Sequence, residues 1–97
     1  MARIILIDDE DVVRRTARLA LERAGHQVLE ASDGEAGLKL LAQSGADLVI
    51  TDIFMPGQDG IVTVRRIRKE SPGVKAIAVK WRVVGGSVSS SRGVPSH

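Results

Sequence analysis

The sequence predicts an α/β fold, a doubly wound parallel sheet with helices on both faces. Three observations predict it. Apolar runs and amphipathic stretches alternate as β-α-β-α-β-α-β over residues 3–79, an order that builds parallel strands through helical crossovers. The apolar runs are short and continuous, as in strands buried on both faces. The first and third of them stop at carboxylates, Asp8-Asp9 and Asp52, and folds of this kind carry their chemistry outside the carboxyl ends of the strands.

Each element has its own warrant. "RIILI", Arg3–Ile7, is rich in β-branched residues and reads as the first strand. A helix from about Asp11 to Ala24 follows. Val13, Ala17, Ala20, Leu21 and Ala24 share one face, and Arg14, Arg15, Arg18 and Glu22 take the other. Acids at its start favour the helix dipole, and Gly25 is a ready stop. "QVLEA", Gln27–Ala31, is the second strand. "SDGE" opens the second helix, with Ser32 or Asp33 as cap and Glu35 as a capping-box partner. Ala36, Gly37, Leu40 and Leu41 form its inner face, and Gly45 ends it. Leu48–Thr51 is the third strand. The third helix runs from about Gly60 to Glu70, with Ile61, Val64 and Ile67 inward, and "SPG" breaks it. "VKAIAV", Val74–Val79, is the fourth strand. The last 18 residues differ in character: five are serine, three are glycine, and no helical period appears. "RVV" there is a candidate short strand, and the rest reads as loose coil.

Composition narrows the function. Ninety-seven residues make one small domain, and 43% hydrophobic content suits a globular core. No cysteine is present, which excludes disulfides and thiolate metal sites. The apolar runs are too short to cross a bilayer. "MARIILIDDED" is not a signal peptide, because acids follow its apolar stretch at once. A soluble cytoplasmic protein is expected, without a membrane partner. The net charge of +2 belongs to the tail. Residues 1–79 hold 11 Lys and Arg against all 12 acids, whereas the last 18 add Lys80, Arg82 and Arg92 with no acid. One Trp, one Phe and no Tyr leave few platforms for base stacking. No direct nucleic-acid binding is expected of this chain. His26 and His97 read as surface residues, since neither has a partner at ligand spacing.

Asp8, Asp9 and Asp52 on neighbouring strand ends repel one another unless a cation sits between them. An Asp at a strand–helix junction is often only a cap. Two such junctions in this topology favour a site. A hard divalent cation fits, and Mg²⁺ uses one or two carboxylates with waters and phosphate oxygens. Such a site suits phosphoryl transfer, and a carboxylate can itself be the nucleophile.

"LIDDED" after the first strand and "DIFMPGQDG" after the third resemble the receiver domain of bacterial two-component response regulators. The likeness covers residues 3–79. It implies the flavodoxin-like receiver fold, strand order 2-1-3-4-5, with 2-1-3-4 represented here. It implies that Asp52 is the phospho-acceptor and that the donor is a histidine kinase or phosphotransfer protein. It makes Asp9 a direct Mg²⁺ ligand, Asp8 an assisting one, and the backbone carbonyl of Phe54 another. Met55-Pro56 would shape the loop and Asp59-Gly60 would start the third helix. The chain is then a signalling domain rather than an enzyme.

The tail departs from the pattern. The family places Ser or Thr after the fourth strand; here Lys80 stands there. The family places a Lys after a fifth strand, and Lys80 lies one strand too early to be that residue. The expected organisation is an incomplete receiver over 1–79 and an atypical Ser/Gly-rich tail over 80–97, with phosphorylation impaired. A one-base frame shift is one origin for such a tail. Codons AAG-TGG-CGG for Lys80-Trp81-Arg82, read one base on, restore Ser-Gly-Gly, and the gene sequence tests this. Loss of the fifth strand would bare the apolar edge of the fourth, so a homo-oligomer through that edge, or a tail strand filling the gap, is expected. Two other functions compete: a non-catalytic assembly remnant of a receiver, and an aspartate-nucleophile phosphohydrolase. The latter usually has a second Asp two residues after the nucleophile, where this chain has Phe54.

Overall fold

The computed structural model describes residues 1–92. His97 lies outside them. The element order is β1 (Arg3–Ile7), α1 (Asp11–Arg23), β2 (Gln27–Ala31), α2 (Gly34–Ser44), β3 (Leu48–Asp52), a 3-10 turn (Pro56–Gln58), α3 (Asp59–Glu70), β4 (Lys75–Val84) and β5 (Ser87–Arg92). One sheet carries the strands in the order β2-β1-β3-β4-β5. The first four are parallel, as the crossovers dictate, and β5 runs antiparallel to β4.

The two-residue period of a strand sends neighbouring side chains to opposite faces. Ile5 and Ile7 point into a cluster with Val49, Ala76 and Ala78, closed by Val64 and Ile67 of α3 and by leucines of α2. Ile4 and Leu6 join Val28, Ile50 and Val79 on the other face, beneath Ala17 and Leu21 of α1. Two helices cover the first face, and α1 covers the second alone. The expected inner face of α1 is therefore only partly realised. Ala17 is buried, Val13 and Leu21 are half-buried, and Ala20 and Ala24 are exposed, because no second helix among the described residues packs beside them.

The capping choice left open at the start of α2 falls to Asp33, whose carboxylate accepts the Ala36 N–H at 2.8 Å. Glu35 then stands one residue short of the capping-box position. Gly45, at φ +68°, ends α2 as expected.

The tail brings the main correction. The fourth strand does not stop at Val79; "RVV" continues it to Val84. The remainder is not loose coil through residue 92. Gly85 and Gly86, at φ +57° and +81°, make a two-residue turn, and Ser87–Arg92 returns along β4. Two consecutive positive φ values are what a tight hairpin with native strand twist requires, and Gly-Gly supplies them. A tail strand thus fills part of the gap, although it is Ser87–Arg92 rather than "RVV": it pairs with β4 from Val79 to Val84 and leaves Lys75–Ala78 without a strand partner on that side among the described residues. β3 partners β4 only as far as Val79, so beyond that point β5 is what holds β4 extended. No helix among the described residues is long and apolar enough to cross a membrane.

Candidate functional site

β1 and β3 are hydrogen-bonded neighbours, with Ile7 opposite Thr51. One residue further on, Asp8 meets Asp52, and Asp9 follows. Carboxylate oxygens of Asp8, Asp9 and Asp52 all lie within 4.8 Å of one another. The structure therefore brings the three expected acids together. Asp8 is 1% exposed and Asp52 8%, while Asp9 is open to solvent.

Asp8 partly plays the turn role that competes with a site. Its Oδ1 accepts the Glu10 N–H at 2.9 Å. Its Oδ2 is buried and has no hydrogen-bond partner. A buried, unpartnered carboxylate oxygen is costly. Burial pushes the Asp8 carboxyl up to about 6; the Glu10 N–H opposes this, and the charges of Asp52, Asp9 and Glu10 add to it. A hard divalent cation would supply the missing partner and relieve that repulsion, so the donor set fits Mg²⁺.

Asp52 ends β3 because the chain turns there. Its Oδ1 accepts the Phe54 N–H at 3.1 Å, and the Ile53 N–H donates to the Val79 carbonyl at 2.8 Å. Met55 is buried and anchors the loop. Gly60 sits so close to the Asp52 carbonyl oxygen that an added Cβ would overlap it. The Asp59 carboxylate accepts the Gly34 N–H at 2.6 Å, joining the starts of α3 and α2. The "DG" after the loop thus has two structural tasks, one per residue.

Two contributors were not legible as such in the sequence. Arg14, placed on the outer face of α1 by periodicity, is turned inward. Its guanidinium donates to the Asp8 carbonyl at 2.6 Å, to Asp11 at 2.7 Å and to Glu30 at 2.9 Å. It ties the Asp8-Asp9 loop to α1 and β2. Arg18 reaches Glu30 from the next turn. The second contributor is Lys80, whose Nζ lies 5.3 Å from the centroid of the Phe54 ring. A local signal for Arg14 did exist, since Asp11 precedes it by three residues on the helix.

A surface cleft lies at the opposite end of the sheet, lined by Met1, Arg3, Gln27, Ser44 and Asp47 among others. Its arginine is already engaged. Arg3 hydrogen-bonds Gln27 and the Ser44 carbonyl, and its N–H reaches Asp47. Chemistry belongs with the acids.

A doubly wound sheet with three carboxylates at the carboxyl ends of adjacent central strands defines the receiver class of signalling domains. The match to known proteins names it: residues 4–82 fit the model of the response regulator receiver domain, and the chain belongs to that family. It is 45% identical over 69 residues to the transcriptional regulatory protein AfsQ1 of Streptomyces coelicolor, a match spanning 71% of this chain and 31% of that protein. The chain thus spans less than a third of that relative's length. Among solved structures, the Thermotoga maritima response regulator TrrA in complex with Mg²⁺ and beryllofluoride superposes with a TM-score of 0.75 at 37% identity, covering 80% of this chain and 68% of that one. The complex of the histidine kinase ThkA with TrrA gives 0.75 at 33% identity, covering 89% and 78%.

Proposed function

We propose that this receiver domain accepts a phosphoryl group on Asp52, from a histidine kinase or phosphotransfer protein, with Mg²⁺ held by Asp8, Asp9, Asp52 and the Phe54 carbonyl. The observation that carries this is the buried, unpartnered Asp8 Oδ2 beside two further carboxylates. Bound Mg²⁺ would neutralise charge on the acids and on the phosphoryl oxygens. The chain's own residues do the rest. The Phe54 N–H fixes one oxygen of Asp52 and so orients the other for attack. The Gly60 contact and the Ile53–Val79 hydrogen bond hold the Asp52 backbone still. Arg14 holds the Asp8 backbone. Positioning and charge neutralisation are the main demands of phosphoryl transfer.

The reading makes the chain a cytoplasmic phospho-acceptor without turnover machinery, organised as a receiver-like part over 1–79 and an appended segment over 80–97. Lys80 occupies the place of the family's hydroxyl, and the described residues hold no counterpart of its lysine after a fifth parallel strand. Transfer is therefore slower than in a complete receiver. The test is incubation with acetyl phosphate and Mg²⁺ followed by intact-mass measurement. A gain of one phosphoryl group, absent in Asp52→Asn, supports the reading. No gain and no Mg²⁺ binding would leave a non-catalytic assembly role.

A further inference from the structure

Asp8 is the most deeply buried acid of the site, and its Oδ2 has no hydrogen-bond partner. Where that oxygen points depends on how the Asp8 backbone is held, because a short carboxylate side chain turns with its main chain. The Asp8 N–H donates to the Ala31 carbonyl at 3.1 Å. The Asp8 carbonyl accepts from Arg14 Nη1 at 2.6 Å. Arg14 in turn is held by Glu30, whose Oε1 accepts the Arg14 Nε–H at 2.9 Å. Glu30 and Ala31 are the last two residues of β2. The tip of that strand therefore grips both backbone groups of Asp8, one directly and one through Arg14.

Glu30 is placed for this task by the sheet. It is in register with Leu6, and strand alternation puts it on the face of Val28, beneath α1. Its second oxygen accepts from Arg18, one turn further along α1. The carboxylate thus lies between two guanidiniums. Its side chain is 21% exposed, and that of Arg14 is 13% exposed. A pair so shielded is screened less by salt and water than a surface pair. The other carboxylate on Arg14, Asp11, is 74% exposed, and an exposed pair holds a side chain weakly. Without Glu30, that exposed partner alone would steady the guanidinium on the Asp8 carbonyl.

We propose that Glu30 is a positioning residue of the metal site: it clamps Arg14 on the Asp8 carbonyl and so sets the direction of Asp8 Oδ2. The proposal rests on the metal-binding part of the phospho-acceptor reading above. It adds a residue of β2 that is not itself among the metal's ligands. Groups that orient a ligand without touching the metal commonly govern metal affinity by about tenfold or more. Charge alone predicts another pattern. Removing the Glu30 carboxylate would weaken binding of a divalent cation, whereas removing the Arg14 guanidinium would tighten it. A clamp predicts that either loss weakens binding, because the two residues act along one path.

The test uses the full chain as wild type, Glu30→Met, Glu30→Gln, Arg14→Met, Arg18→Met and the double variant Glu30→Met with Arg14→Met. Mg²⁺ affinity is measured by calorimetry, stability of the metal-free chain by urea titration, and the Asp8 amide by hydrogen exchange. Glu30→Met and Arg14→Met should each weaken Mg²⁺ binding about tenfold. The double variant should bind no more weakly than the worse single one, as residues on one path are not additive. It also leaves neither charge without its partner, so it carries the comparison if a single variant does not fold. Glu30→Gln keeps an oxygen for the Arg14 Nε–H and should recover most of the affinity. Arg18→Met also removes an ion pair to Glu30 but does not touch Asp8. It should lower stability while Mg²⁺ affinity stays within about twofold of wild type. Exchange of the Asp8 amide should quicken in Glu30→Met and not in Arg18→Met. Mg²⁺ affinity in Arg14→Met equal to or tighter than wild type would overturn the proposal. So would an equal loss in Arg18→Met, which would mark the effect as lost stability. A wild-type chain that binds no Mg²⁺ would instead overturn the phospho-acceptor reading beneath it.

Discussion

Asp8 carries a stability consequence as well as a binding one. Its carboxyl titrates at about 6 in the folded chain, against 3.8 for an ordinary Asp. A group whose folded value is raised stabilises the fold below its unfolded value and loses that stabilisation as pH rises through the folded one. For the metal-free chain, the Asp8 contribution is full below about pH 4 and gone above about pH 6. The shift corresponds to roughly 3 kcal/mol. Asp8→Asn should therefore stabilise the metal-free chain at pH 7 by about 2–3 kcal/mol, and the gap between the two proteins in urea titrations should close by pH 4. The same substitution should abolish the Mg²⁺ response. Wild-type Mg²⁺ affinity should fall as pH drops below about 6, because the ligand must be deprotonated to bind.

The acids themselves were legible from the sequence, because a charge that ends an apolar strand stands out locally. The orphaned Oδ2 was not. Which oxygen of Asp8 a backbone N–H satisfies depends on how the chain turns at Glu10. Lys80 was visible only as a departure from a family pattern. Its meeting with Phe54 joins the middle of β4 to the loop after β3, which sequence distance keeps 26 residues apart.

At the scale of elements, the site is held by close approach. Gly60 lets the first turn of α3 press on the Asp52 carbonyl. Gly60→Ala should destabilise the fold by about 1–3 kcal/mol, the usual cost of forcing atoms into a packed space, and should weaken Mg²⁺ binding in calorimetry. The β4–β5 hairpin is a second such case. Gly86 sits at φ +81°, a conformation costly to a β-branched residue. Gly86→Val should open the turn, bare Val79–Val84 in addition to Lys75–Ala78, and raise the share of oligomers in light scattering above that of wild type. The signal for this hairpin was present in "VVGGSV", two β-branched residues, a two-glycine turn and a third. Its serine-rich composition obscured it. Amphipathic periodicity also misplaced Arg14, since it records which positions share a face but not that a long side chain can fold back to a carbonyl.

For the whole molecule, one sheet gives two unequal layers. α2 and α3 cover one face, and α1 with the half-buried Trp81 covers the other. Cations bound at one end of the sheet should still stabilise all of it, because a domain this small unfolds as one unit. At pH 7, Mg²⁺ at 100 times its dissociation constant should add about 2.7 kcal/mol, a rise in Tm of roughly 10–20 °C. Chelation should reverse it, with far-ultraviolet circular dichroism and Trp81 fluorescence moving together. Separate transitions for the two probes would show that the hairpin unfolds apart from the rest.

The sequence by itself determined the parallel order of the first four strands, the helices that cross between them, and the acids at the ends of β1 and β3. Those features follow from local periodicity and from chain connectivity, which leaves few ways to stack alternating strands and helices. Only the tertiary structure decided that β5 pairs with the second half of β4, that Arg14 braces Asp8, that one oxygen of Asp8 is left without a partner, and that the Lys80 ammonium rests on the Phe54 ring. Each of these is a contact between atoms that chain order does not place together. Their positions are set by strand register and by the turns at Glu10, Gly60 and Gly85-Gly86.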